Sequence, residues 1–420
     1  MRVLFIVSLV LPTEWLVGIH GIHKRMEMFI DAIKEIAQID ILFYVSSDTD
    51  ITPSAVSKIE SFFRQRWNAN INLFLCPEFT NLVSESKLKT EIPGILSFFK
   101  HPAYINTSGP QQIRAFEECL SRKPDAIFVH RLRSMPPAML TRKTLPPIFL
   151  DLDDIEHIAF IRKLNQPPSS LIASVYYLQV PAIWWGELRA IRMARQTFIC
   201  SEKDRNYLTK RWGLSGVVTV PNAITIPEPQ PITNEPTLLF IGTYTYQANI
   251  NAANFLIEQV WPQIYRVMPE ARLIIAGKEP SNIRSYSTGV PGVEFTGFVD
   301  ALDELYQRVR VVCCPIFSGG GTRIKMIEAA AYGKPIVATR IGVEGLNMQD
   351  GQDFLLSNTP KSFAEACLEL FKNYSLCEQL GSNARAVAIR HYDRTSIVRL
   401  IQEHMKSEKG VKENRVDNIF

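Results

Sequence analysis

A repeated series of short, continuously apolar runs, separated by helix-length segments, constrains this chain more than any other feature. Val3 to Val7, Ile39 to Val45, Ile71 to Leu75, Ala126 to Val129, Ile148 to Leu152, Thr197 to Cys200 and Val217 to Val220 form a first set. Hydrophobicity that runs on rather than alternating marks strands covered on both faces, so each run predicts a strand of a parallel sheet flanked by helices. The pattern then stops. From Pro221 to Pro236 the chain reads PNAITIPEPQPITNEP, five prolines in sixteen residues, a density that blocks both helix interiors and central strands. It restarts as Leu238 to Ile241, Arg272 to Ala276, Val293 to Phe295, Val309 to Cys314 and Ile336 to Thr339.

The chain therefore reads as α/β, with two doubly wound Rossmann-like domains: residues 1–220, a Pro-rich linker over 221–236, and residues 237–390, followed by a C-terminal helix and polar tail over 391–420. A length of 420 residues exceeds what one hydrophobic core usually supports. Lys361 to Lys372 and Leu376 to Ala388 read as amphipathic helices, and Lys409 to Phe420 as a disordered end. Residues 77–124 show no clear period; they read as an irregular connection with one helix, an acceptor or lipid surface being the alternative. Open sheets of this type bind ligands beyond the carboxyl ends of their strands, so chemistry is expected in the loops there.

Composition removes several classes. Apolar residues make up 46% and charged residues 21%, as in a packed globular protein. The net charge of +4 is small for this size and no dense Lys/Arg stripe occurs, which argues against nucleic acid as a partner. Seven cysteines without a C-x-x-C pair fit buried, reduced thiols and hence a cytoplasmic setting. Met1 to Leu11 reads as a first buried strand, without a small-residue cleavage site. No run of eighteen apolar residues occurs, so any membrane contact is expected to be peripheral, at the inner face.

The stretch from Val311 to Pro335 is the most informative. A buried strand runs into Gly319-Gly320-Gly321, a helix opens near Thr322, and Gly333 closes it. Glycines let the backbone approach an anion, and the N–H groups at a helix start bind negative charge. Arg323 and Lys325 sit at that same end, where a cation opposes the helix dipole by ~0.3–1 kcal/mol unless an anion is present. Glu328, one helical turn on from Lys325, can accept from ribose hydroxyls or form an ordinary ion pair with Lys325. A G-x-x-x-x-G-K-[ST] loop is missing, as is a G-x-G-x-x-G with a ribose-binding acid after the first strand, which weakens the kinase, NTPase and dehydrogenase readings.

The segment GGGTRIKMIEAAAYGKPIVATRIGVEGL, Gly319 to Leu346, resembles the donor loop of retaining GT-B glycosyltransferases of family 4, in particular the sugar transferases of exopolysaccharide clusters. Matches at Phe240-Ile241-Gly242 with Asn249, Ile275-Ala276-Gly277, Phe295 to Val299, Cys200-Ser201-Glu202 and Val220-Pro221-Asn222 carry the resemblance along nearly the whole chain. It implies the GT-B fold, two Rossmann-like domains facing across a cleft. It further implies a donor held by Gly242, Gly277, Phe298, Val299, Gly320, Gly321, Thr322 and Glu328, with the base near Phe298 and Val299.

Three departures matter. The family's Glu-x7-Glu is half present, since Gly320 stands eight before Glu328; Glu344 either supplies the missing carboxylate or caps a turn. The loop Gly242 to Asn249 lacks the Arg and Lys that many relatives carry there, leaving diphosphate neutralisation to Arg323 and Lys325. After the fifth strand, Asp153 takes the place of a His. Gly18, His20, Gly21 and His23 match a glycine-rich loop after the first strand, with the two histidines either contacting acceptor or phosphate or inert on the surface.

The resemblance implies transfer of a sugar from a nucleotide-diphosphate donor to a sugar, glycan or lipid-linked acceptor, with retention and without a cofactor. Arg323 and Lys325 would stabilise the leaving diphosphate, while Asp153 and Glu344 complete the catalytic set. The one Asp-x-Asp, Asp151-Leu152-Asp153, lies in the wrong domain to hold a metal on the donor. A sugar-nucleotide epimerase and a non-catalytic binding protein of the same fold remain the alternatives.

Overall fold

The computed structural model of the chain describes residues 1–8, 12, 21–78, 107–165 and 176–406. Gly18, His20, most of the 77–124 stretch and the tail from Lys409 lie outside the described residues. Two compact units emerge, Met1–Val220 with Val398–Phe420, and Pro221–Ile397.

In the first unit the order is β1 (Arg2–Val7), α1 (Gly21–Lys34), β2 (Gln38–Val45), α2 (Pro53–Trp67), β3 (Ile71–Pro77), α3 (Pro110–Leu120), β4 (Ala126–His130) and α4 (Pro136–Leu140). There follow β5 (Ile148–Asp153), α5 (Glu156–Leu164), α6 (Val180–Met193), β6 (Gln196–Ile199), α7 (Glu202–Asn206) and β7 (Val217–Thr219). The strands form one seven-stranded sheet in the order β3-β2-β1-β4-β5-β6-β7, parallel throughout. Val3 to Val7 are fully buried, as a central strand with helices on both faces requires. In α1 the buried His23, Met26, Ile30 and Ile33 recur three or four residues apart, the stripe by which a helix covers a sheet.

The second unit contains β8 (Thr237–Ile241), α8 (Gln247–Phe255), α9 (Trp261–Val267), β9 (Arg272–Ala276), β10 (Val293–Gly297), α10 (Leu302–Gln307) and β11 (Val311–Cys314). It continues with α11 (Ile324–Ala331), β12 (Ile336–Ala338), β13 (Leu355–Leu356), α12 (Pro360–Lys372) and α13 (Tyr374–Tyr392). Its parallel sheet runs β10-β9-β8-β11-β12-β13. Thr359 and Ser362 close a reciprocal capping box on α12, and Asn373 caps α13. The last helix, α14 (Arg394–Lys406), carries the chain back, its residues from Val398 belonging to the first unit. There Ile401 and Met405 are buried and Gln402 donates to the carbonyl of Ala32 in α1.

Both sheets reverse direction between their first and fourth strands, β1/β4 and β8/β11. At such a switch point the connections leave on opposite faces and open a crevice beyond the strand ends.

Candidate functional site

In the second unit the loops leaving β8 and β11 meet at that switch point. The backbone N–H groups of Gly320, Gly321 and Thr322 find no acceptor among the described residues. They stand immediately before α11, whose first N–H groups are unpaired by construction, and together they form a cradle of donors for an anion. The carbonyls of the same loop are engaged: Arg323 donates through its guanidinium to Gly320, to Gly321 at 3.1 Å and to Ser318 at 3.3 Å. Arg323 is thus the N-cap residue of α11 and the clamp of the loop. Thr322 is tied from behind, its hydroxyl accepting from Asn222 Nδ2 at 2.9 Å.

Lys325 sits in the first turn of α11, half-buried. Its ammonium donates to Asn249 Oδ1 at 2.8 Å and lies 4.4 Å from the centroid of the Phe240 ring. Burial pushes its pKa down to about 8, with Arg323 adding to the fall and Cys314 and Glu328 opposing it. A lysine with so few counter-charges at a positive helix end gains most from an arriving anion.

The neighbouring strand ends are stitched together. The N–H of Gly242 donates to Ala276 at 3.0 Å and that of Gly277 to Gly297 at 2.7 Å. Gly277 has φ of +131° and approaches the Gly242 carbonyl so closely that no Cβ fits. Tyr246 reaches across to the glycine loop, where its hydroxyl stands 2.6 Å from the place of a Cβ on Gly319. Phe298 follows β10 with 43% of its surface exposed and the Lys278 ammonium 4.8 Å from its ring centre; Val299 beside it is half-buried. Glu328 is buried on α11. Glu344 lies in the turns after β12, its N–H donating to Ile341; two residues earlier, Gly342 abuts the carbonyl of Cys314 at the end of β11. Sequence reading gave no role to Asn222 or Tyr246 and used Asn249 only as a match, because what they do depends on which loop lies opposite.

In the first unit the ends of β4 and β5 carry a buried ionic network. Arg25, fully buried in α1, donates to both oxygens of Asp151 and lies 3.3 Å from Asp153. His130 Nδ1 is 3.0 Å from Asp151, and Arg131 pairs with Asp153. Burial opposes the charges on Arg25 and Asp151, but their mutual attraction outweighs it, holding the arginine above and the carboxyl below their ordinary values. Burial also keeps His130 below its usual value despite Asp151. Arg131 and Asp153 both have positive φ, 68° and 64°, a conformation of non-glycine residues that clusters at functional sites.

Asp153, which takes the place of the relatives' His, is 8% exposed and paired on two sides. The β5–β6 register shifts between Asp151 and Asp153, so simple alternation does not assign the side chains. The half-buried Asp154 holds the perturbed group instead, its carboxyl pushed up to about 7 by burial and the adjoining Asp153. His23, expected in a loop, is buried in α1, and Gly21 begins that helix; the apolar stripe of α1 extends one turn further back than the glycines suggested.

Two parallel Rossmann-like sheets, each with a switch point, give a fold of the GT-B type. Residues 235–373, most of the second unit, match the family model for glycosyl transferases group 1. A 168-residue stretch is 22% identical to an uncharacterised 44.6 kDa protein of the cps region of Klebsiella pneumoniae, covering 38% of this chain and 43% of that one. Another of 204 residues is 26% identical to the phosphatidyl-myo-inositol mannosyltransferase of Mycobacterium leprae, covering 44% and 53%. The chain thus spans about half the length of the curated relatives it matches. In fold it is similar to Anabaena HepE, solved in complex with UDP-glucose: TM-score 0.64 at 14% identity over 96% of this chain and 99% of that one.

Proposed function

We propose that the chain transfers a sugar from a nucleotide-diphosphate donor to an acceptor hydroxyl of a glycan or lipid-linked sugar, with retention at the anomeric carbon. The observation that carries this is the convergence of three unpaired N–H groups, Gly320 to Thr322, with the Lys325 ammonium at the β8/β11 switch point. Every group there donates, which suits a diphosphate and stabilises it as a leaving group. Glu328 and Phe298 are the candidates for ribose and base. At the edge of the first unit, Asp154 is the candidate for exchanging a proton with the acceptor, and Arg131 with Asp153 hold its backbone in place. The match of residues 235–373 to the group 1 glycosyl transferase model and the UDP-glucose held by the HepE structure support the donor class.

The decisive experiment measures UDP and GDP release from a panel of nucleotide sugars, with and without acceptor. A transferase gives acceptor-stimulated release and an α-linked product from an α-linked donor by NMR. Slow release that acceptors do not stimulate indicates an epimerase hydrolysing its donor, and no release a binding protein.

No helix among the described residues is long and apolar enough to cross a membrane. Peripheral contact with anionic lipid is supported by one surface: Leu178 in the turn before α6 and Trp185 within that helix, both more than half exposed, with exposed Arg192 further along. Trp185→Ala should reduce flotation with phosphatidylglycerol vesicles; unchanged flotation removes this part of the proposal.

A further inference from the structure

Lys325 stands at an electrostatically poor place for a cation, in the first turn of a helix and beside Arg323. The titratable groups near it are the Arg323 guanidinium, the Cys314 thiol at the end of β11, which burial pushes up and keeps neutral, and the Glu328 carboxyl on its own helix. From α8 and β8 it meets only uncharged groups, the Asn249 amide and the Phe240 ring. Asn249 itself is held by a second hydrogen bond. Its Nδ2 donates to the Thr243 carbonyl at 2.9 Å, and Gly242 lies so close that a Cβ there would stand 3.0 Å from the amide carbon. With its nitrogen committed to a carbonyl, the amide oxygen faces the ammonium.

We propose that Asn249 is a positioning residue for the donor diphosphate: it orients the Lys325 ammonium at the glycine loop without neutralising it. The side-chain chemistry is restrictive. The position needs one atom that accepts from an ammonium and one that donates to a carbonyl, in a short planar group. Aspartate has the same shape but would set a carboxylate against the Thr243 carbonyl and complete an ion pair with Lys325, leaving no charge for the ligand. Alanine would leave the ammonium without its acceptor and lower its proton affinity. The inference rests on the proposed donor-diphosphate site and deepens it.

The test uses the full chain and measures UDP and GDP binding by calorimetry from pH 7 to 9, above the ~6 second ionisation of a phosphate, in buffers of different ionisation enthalpy. Wild type should take up protons on binding near pH 8 and lose affinity above it. Asn249→Asp should weaken binding by about tenfold or more at pH 7, the effect of about one unit of pKa-equivalent energy, with a flat pH profile and no proton uptake. Asn249→Ala should show a loss that is small at pH 7 and grows toward pH 9. A uniform, pH-independent loss in both variants, or none in either, overturns the inference while leaving the site in place. If wild type binds neither nucleotide, the site reading itself fails.

Discussion

At the residue scale, two cations two positions apart in sequence have different duties. Lys325 presents its charge, whereas Arg323 clamps loop carbonyls. Lys325→Ala should therefore weaken UDP or GDP binding by ~1.5–3 kcal/mol, the value of a charge-assisted hydrogen bond, without changing the melting temperature by more than a degree or two. Arg323→Ala should lower affinity and also raise amide exchange across Gly319 to Thr322, which calorimetry and hydrogen exchange together resolve. The neighbouring aspartates of the first unit separate in the same way. Asp154 has a folded pKa of about 7, above its unfolded value, so its stabilising contribution is complete below the unfolded value and lost as pH rises through 7. Asp154→Asn, which mimics the neutral acid, should match wild type in thermal melts at pH 4 and melt higher at pH 8, while turnover falls by ~10²-fold. Asp153→Asn leaves Arg131 and Arg25 short of a partner and should melt several degrees lower at pH 8. Higher melting of both variants at pH 8 would remove the ionic role of Asp153.

At the element scale, the anion cradle depends on how α11 is supported from behind. Ala329, Ala330 and Ala331 of α11 are all buried, and small residues allow α13 to approach. Gly381 lies in the interior of α13, where alanine would ordinarily be favoured by ~0.5–1 kcal/mol. Here a Cβ would overlap the Gly333 carbonyl in the turn that ends α11, and overpacking costs about 1–3 kcal/mol. The clash outweighs the gain in helix propensity, so Gly381→Ala should destabilise the second unit and weaken nucleoside diphosphate binding through α11. An unchanged or raised melting temperature would show that the crossing relaxes without cost. Lys334 belongs to the same turn, fully buried, donating to Pro231 at 2.7 Å and Val309 at 2.8 Å; it fastens the proline-rich stretch to the sheet that carries the site.

For the whole molecule, the chain path matters as much as the two sheets. The first unit is completed by residues that come after the second, since Ile401 and Met405 of α14 bury their side chains there. Ending the chain at Asp393 should increase amide exchange in α1 and β6, which α14 contacts through Ala32 and Gln196, and leave β8 to β12 protected; protection unchanged in α1 would show that α14 adds nothing to the first unit. Sequence alone determined strands β1 to β12, because a strand buried on both faces must be apolar throughout, while the two-residue, half-buried edge strand β13 was too short to read; proline density located the break after Val220. It also determined the glycine loop, since close approach of backbone to an anion needs residues without a Cβ. Helix lengths were legible to within a few residues: α12 and α13 span Pro360–Lys372 and Tyr374–Tyr392, against 361–372 and 376–388 read from periodicity. Tertiary structure decided which partner each polar group acquired. The Asn249 contact with Lys325 and the Asp151 contact with Arg25 join residues 76 and 126 positions apart, and the energy of a buried charge is set by what lies within a few ångströms of it, a distance that sequence separation does not measure.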